Sequence, residues 1–86
     1  MKLAFASTGR DDFQWWIDND RPMSKRVRNL IAEALRTPRV GTGKPERLKH
    51  YDGEVWSRRV TQEHRFVYDL TDGVLTVISL RFHYDE

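Results

Sequence analysis

Apolar residues along this chain first cluster, then recur at helical spacing, then alternate, and the order of those patterns predicts the fold. Leu3, Ala4 and Phe5 form a short run that reads as a first strand. Thr8 is placed to cap a helix running to about Asp18, with Asp11 and Asp12 at its positive end. Phe13, Trp16 and Ile17 would share its buried face, leaving Trp15 to pack under a loop or to meet another protein. Pro22 suits the first turn of a second helix. Met23, Val27, Leu30, Ile31, Ala34 and Leu35 then fall on one stripe, with Lys25, Arg26, Arg28 and Glu33 on the wet face. Thr37-Pro38 ends it, because a residue before proline is disfavoured in the helical region.

Beyond a loop punctuated by Gly41, Gly43 and Pro45, alternation predicts a meander: a short strand near 47–49, then 55–61, 64–70 and 74–82. Asp52-Gly53, Gln62-Glu63 and Asp72-Gly73 supply the turns. The expected class is α+β in a β-αα-βββ order, two helices packed on one face of a small antiparallel sheet. A three-residue hairpin loop at Thr71-Asp72-Gly73 would set Arg65 opposite Ser79 and on one face with Arg81 and His83. Phe66, Tyr68, Ile78, Leu80 and Phe82 would then face the core.

At 86 residues the chain is one domain, 1–86, able to bury about 60–65% of its unfolded surface. It has no cysteine, so neither disulfides nor thiolate metal sites contribute. The first apolar run is too short for a signal-peptide core or a membrane span, so a cytoplasmic location with no membrane partner is expected. Net charge is only +2 but unevenly spread: residues 36–65 hold eight Lys/Arg against four Asp/Glu, and residues 66–86 hold one against four. A local basic surface follows, compatible with nucleic acid or with an ordinary solvated face.

The string Gly43-Lys44-Pro45-Glu46-Arg47-Leu48-Lys49-His50, with Trp56-Ser57-Arg58-Arg59, Glu63-His64-Arg65 and His83-Tyr84, sharpens that choice. Cutting RNA without a metal requires a base for the 2′-hydroxyl, cations for a phosphate gaining charge and an acid for the leaving oxygen. Glu46, the arginines and His83 are those three chemistries. His50, His64 and His83 match no ordinary zinc spacing, and Gly41-Thr42-Gly43-Lys44 lacks the spacing of a phosphate loop, so no cofactor is expected.

In order and spacing these residues resemble the Txe/YoeB toxins of bacterial type II toxin–antitoxin pairs, within the RelE/ParE superfamily. The resemblance runs almost end to end, from the Leu3 strand through Arg36-Thr37-Pro38 to His83-Tyr84. It implies a RelE/ParE-like, microbial-RNase-like fold and a ribosome-dependent endoribonuclease that cuts messenger RNA in the A site. Carried onto this chain, it makes Glu46 the general base, Arg65 the main phosphate ligand, His83 the general acid and Tyr84 a nucleotide-positioning residue. Lys49 and Arg59 become second cations, with surface ion pairs to Glu54 and Glu63 as the competing arrangement, and Glu63 and Arg81 become supporting charges.

The implied partners are an antitoxin of YefM/Phd-like type, the ribosome and messenger RNA, a second copy in a homodimer, and operator DNA only through the antitoxin complex. Two other function classes stand beside it: a gyrase poison of the superfamily's non-enzymatic branch, which would lack the acid–base set, and a plain ribosome- or RNA-binding module that has lost activity, which would bind without cleaving. Two departures touch the site. Asp85-Glu86 follow His83-Tyr84 where many relatives stop, adding anions expected to alter the pH dependence, and Arg47 stands where proline is expected.

Overall fold

In the computed structural model, which describes residues 1–82, the elements run β1 (Lys2–Phe5), α1 (Ser7–Asn19), α2 (Arg21–Arg36), β2 (Glu46–Arg47), β3 (Glu54–Arg59), β4 (Arg65–Thr71) and β5 (Val74–Ser79). The α+β expectation holds. The five strands form one sheet in the order β1-β5-β4-β3-β2. All pairings are antiparallel except β1 with β5, which is parallel, so the sheet is mixed rather than wholly antiparallel. That exception follows from connectivity. The chain leaves β1 through two helices instead of a tight turn, so its partner is chosen by packing.

Asp20 both ends α1 and starts α2: its N–H donates to Trp16 O, and its carboxylate accepts from Met23 N–H at 3.2 Å. The start of α1 departs from expectation. Ala6 is the cap residue, with no side-chain cap bond, and Asp12, instead of serving the helix end, accepts Leu80 N–H at 2.9 Å. Trp16 likewise donates its indole N–H to Leu80 O at 3.0 Å, so α1 is bolted to the chain beyond β5. Gly9 permits this approach, since a Cβ there would lie 2.2 Å from Val77 O. Ile17, expected to be buried, is exposed.

The α2 stripe behaves as read: Val27, Leu30, Ile31 and Ala34 are buried, with Met23 and Leu35 at the margin. Together with Trp16, Phe66, Tyr68, Leu75, Val77 and Leu80 they form the main core between helices and sheet. Each large aliphatic side chain so buried contributes about 1.5–3 kcal/mol. On the opposite face of the sheet Leu48, Val55 and Val67 make a second small cluster, joined by Tyr51 and Ile78.

The β4–β5 register differs from the expected one. Thr71 pairs with Val74, leaving a two-residue turn in which Asp72 and Gly73 both have positive φ, 52° and 74°. A bulge follows: Tyr68 pairs with Val77 but Val67 with Ser79, so Val67 rather than Arg65 faces Ser79. The extra residue, Ile78, turns to the second cluster, Val77 enters the main core in its place, and Phe82 is exposed. His83 and Tyr84, and with them the expected shared face of Arg65 and His83, lie outside the described residues.

Candidate functional site

The face of the sheet away from the helices carries Glu46, Arg59 and Arg65 of the polar residues that sequence singled out. Alternation turns Trp56 and Arg58 toward the helices and Val55, Ser57 and Arg59 away from them. Glu46 pairs with Ser57, Ser57 with Val67, and Val67 with Ser79, giving one cross-strand row. Arg59 and Arg65 pair directly in the neighbouring row. Arg65 is half-buried and its Nη1 approaches Ser57 Oγ at 3.4 Å, while Glu46 and Arg59 are exposed. Ser57 therefore stands between the carboxylate strand and the arginine.

β2 holds only Glu46 and Arg47, and two anchors keep so short a strand in place. Downstream, Leu48 is buried and its N–H donates to Val55 O at 2.8 Å, leaving Lys49 exposed just beyond. Upstream, Gly43 O accepts Arg59 N–H at 2.8 Å. Gly43 has φ 87°, and a Cβ there would lie 3.0 Å from Arg59 O, so both backbone conformation and space call for glycine.

The loop before Gly43 is held by a residue that belongs to the sequence motif but to which sequence reasoning gave no role of its own. Arg58 is completely buried. Its Nε donates to Tyr68 Oη at 3.0 Å, Nη1 to Glu33 (2.8 Å) and Thr42 O (3.2 Å), and Nη2 to Thr37 O (2.6 Å) and Val40 O (3.0 Å). Those bonds occupy every N–H of the guanidinium. Glu33, expected on the wet face of α2, instead accepts the Thr42 amide and hydroxyl as well as Arg58, and these bonds hold its carboxyl below the usual range. Tyr68 donates to Pro38 O, and burial pushes its phenol up. The available signal was an arginine at an inward position of an alternating strand, which requires a partner from the facing helix.

A second tie closes the same loop. Arg39 forks onto Glu54 at 2.6 and 2.9 Å, and the Trp56 indole N–H adds a third bond at 2.8 Å. Arg39 first, then Trp56, bring the Glu54 carboxyl down to about 2 from an ordinary 4.5. A lowered carboxyl stabilises the fold fully above its unfolded pKa, and that stabilisation is lost as pH falls through the folded one. Thermal melts between pH 6 and 2.5 are therefore expected to show stability falling below about pH 4.5. Glu54→Gln should flatten part of that fall. An unchanged pH profile in the variant would show that the tie does not matter.

The remaining candidates separate. Among the described residues neither Arg59 nor Arg65 forms an ion pair, so the competing Arg59–Glu63 arrangement is not observed, and Glu54 is taken by Arg39. Like charges directly opposite in a sheet are destabilising, and the Arg59–Arg65 pair is of that kind. Glu63 is exposed in the β3–β4 turn. Arg81 does not join Arg65: its guanidinium lies 3.8 Å above the Trp15 ring of α1, which also settles where Trp15 packs.

His64, whose spacing suited no metal, acts instead as a structural acceptor. Its Nδ1 accepts Phe82 N–H at 2.7 Å, and its ring stands edge-on to Trp16. Phe82 O accepts Arg65 N–H at 3.2 Å. The residue preceding His83 is thus fastened to Arg65 and, through His64, to the core. Among the described residues no three His, Asp or Glu side chains converge on a metal-sized point, and no helix is long and apolar enough to cross a membrane.

Known proteins resemble this chain in sequence and in fold. Residues 5–84 match the family model of the YoeB-like toxins of bacterial type II toxin–antitoxin systems. The chain is 44% identical to toxin YoeB of Escherichia coli strain K12 over 84 residues, 98% of this chain and 100% of that one. Its fold is similar to the YoeB/ParE toxin from Agrobacterium tumefaciens, with a TM-score of 0.90 and 46% identity over 98% of this chain and 100% of that chain. Two Staphylococcus aureus structures, a YoeB dimer and a heterotetrameric YoeB–YefM toxin–antitoxin complex, match at TM-scores of 0.87 and 0.84 and identities of 31% and 32%, each over 98% of both chains.

Proposed function

The chain belongs to the family of YoeB-like toxins of bacterial type II toxin–antitoxin systems, and on that premise we propose that it is a ribosome-dependent endoribonuclease that inhibits translation by cutting messenger RNA in the A site. One observation supports this most: an exposed carboxylate, Glu46, and two arginines without carboxylate partners among the described residues, Arg59 and Arg65, share the open face of the sheet. Glu46 takes the proton of the 2′-hydroxyl, whose oxygen attacks the adjacent phosphorus. The bond to the 5′ oxygen breaks, and His83 protonates that oxygen. The products are a 2′,3′-cyclic phosphate and a 5′-hydroxyl end. Arg65, with Arg59 and Lys49, holds the phosphate as it gains charge, and a guanidinium suits this because its donors fork and its charge persists. Tyr84 positions the nucleotide, and Glu63, in the β3–β4 turn, supports the cations from outside the reacting group.

A small domain has little surface with which to hold a flexible strand in line, and alignment is worth roughly 7–11 kcal/mol of barrier. The ribosome supplies that alignment. A YefM-like antitoxin binds the enzyme and restrains it in its host, a reading supported by the S. aureus YoeB–YefM toxin–antitoxin complex. The test is primer extension on a defined messenger RNA in a purified translation system, with and without ribosomes, followed by end analysis. Cuts that need ribosomes and leave 5′-hydroxyl ends are expected. Absence of cleavage in both conditions would discard the nuclease assignment and every catalytic role above.

A further inference from the structure

A groove of about 680 Å³ opens beside Arg65, lined by Arg26, Arg59, Val60, Thr61, Gln62 and Arg65. Three arginines line it although α2, which carries Arg26, places none of the catalytic candidates above. Arg26 reaches across the end of β3: its Nε donates to Val60 O at 2.6 Å and its Nη2 to Arg59 O at 3.3 Å. Two of its five N–H groups are used and its charge is held in place by neutral carbonyls. Among the described residues no carboxylate pairs with Arg26, Arg59 or Arg65.

The rim is stiff. Thr61 Oγ1 accepts the N–H groups of Glu63 and His64, and Val60 and Thr61 both donate to His64 O. A rigid groove of this size, within the roughly 300–1,000 Å³ of ligand sites, that keeps three like charges together is suited to an anion. Holding Arg26 against carbonyls while leaving its remaining donors outward gives the fold little that an uncharged residue could not. An anion bridging Arg26 and Arg59 would relieve the repulsion across the Arg59–Arg65 pair.

We infer that Arg26, with Arg59, forms a second phosphate subsite that takes the phosphodiester neighbouring the one held at Arg65. This rests on the proposed action on RNA and extends it: the substrate strand would run from Glu46 past Arg65 toward the N-terminal half of α2. Thr61 and Gln62 present no aromatic ring for stacking, so the subsite reads backbone charge rather than base identity.

The experiment is fluorescence anisotropy of a short 2′-O-methyl RNA, which cannot be cut, binding to the unmodified protein and to Arg26→Gln across a salt series. The variant is expected to bind about tenfold more weakly at low salt. The slope of log affinity against log salt should fall by about 0.7, the value of one single-strand phosphate contact. With an RNA carrying a neutral methylphosphonate at the neighbouring linkage, protein and variant should bind alike. Because the probe is uncuttable, these results stand or fall apart from cleavage. Equal salt slopes for protein and variant would overturn the subsite. So would unchanged RNA binding combined with weakened binding of a glutamate-rich peptide, which would assign the groove to a protein partner's carboxylates. Circular dichroism melts of Arg26→Gln separate loss of the subsite from loss of fold, since among the described residues Arg26 bonds to the fold through two carbonyls.

Discussion

Glu46→Gln is expected to lower ribosome-dependent cleavage by about 10²–10⁴-fold, the range lost with a positioned general base, while leaving melting within about 0.5 kcal/mol of the parent. The separation of those two readouts is what makes the prediction sharp. Glu46 is exposed and, among the described residues, meets β3 through its main-chain pairing with Ser57, so the amide removes proton affinity and little else. Its neighbours Gly43 and Leu48 carry the structural work on either side. Cleavage and binding should be measured on the same preparation, with melting as the control. A variant that still cuts at parental rates would move the base elsewhere and leave Glu46 as a charged rim residue.

Replacing Arg58 by methionine is expected to destabilise the protein by about 3–5 kcal/mol, the scale of removing one partner from a buried ion pair. In a domain of this size that corresponds to a fall in Tm of more than about 12 °C. Set against total stabilities of about 5–15 kcal/mol, the change is large enough to unfold much of the population on warming. Buried ion pairs can often be exchanged for apolar side chains at little cost, but this case differs. Three of the acceptors are main-chain carbonyls, of Thr37, Val40 and Thr42, and no substitution can delete them. Arg58→Lys should recover only part of the loss, because an ammonium cannot fork to both sides of the loop. At a temperature where Arg58→Met is still folded, cleavage is expected to drop as well, since the same bonds hold the approach to Glu46. A Tm within two or three degrees of the parent would show that water replaces the guanidinium without penalty.

Much of the architecture was legible from local pattern. The α2 stripe named its own buried residues because a 3.6-residue period leaves one face for the core. Pro22 and Thr37-Pro38 marked the boundaries of α2 through proline chemistry, which acts within a few residues. The β4–β5 hairpin was misread by one residue, since Asp-Gly supports a two-residue turn with both positions left-handed, and the later bulge leaves no mark in the sequence. The two-residue turn set Val77 and not Ile78 opposite Tyr68 in the main core, and the bulge after it returned Leu80 to the same side. For the site, Glu46, Arg59 and Arg65 were recognised from their motif and do share a face. Arg81 was placed with them and is instead stacked on Trp15, because a long cation covers the nearest large ring that packing exposes.

By itself, then, the sequence determined the class of fold, the main faces of the helices and inner strands and the family, because each rests on spacing between near neighbours or on a motif matched in order. Tertiary structure alone decided the parallel pairing of β1 with β5, the burial of Arg58 against Glu33 and the meeting of Arg26 with the arginine pair of the sheet. Those contacts join residues tens of positions apart. Many pairings of that kind satisfy the same local pattern, and only the packing of the whole chain selects among them.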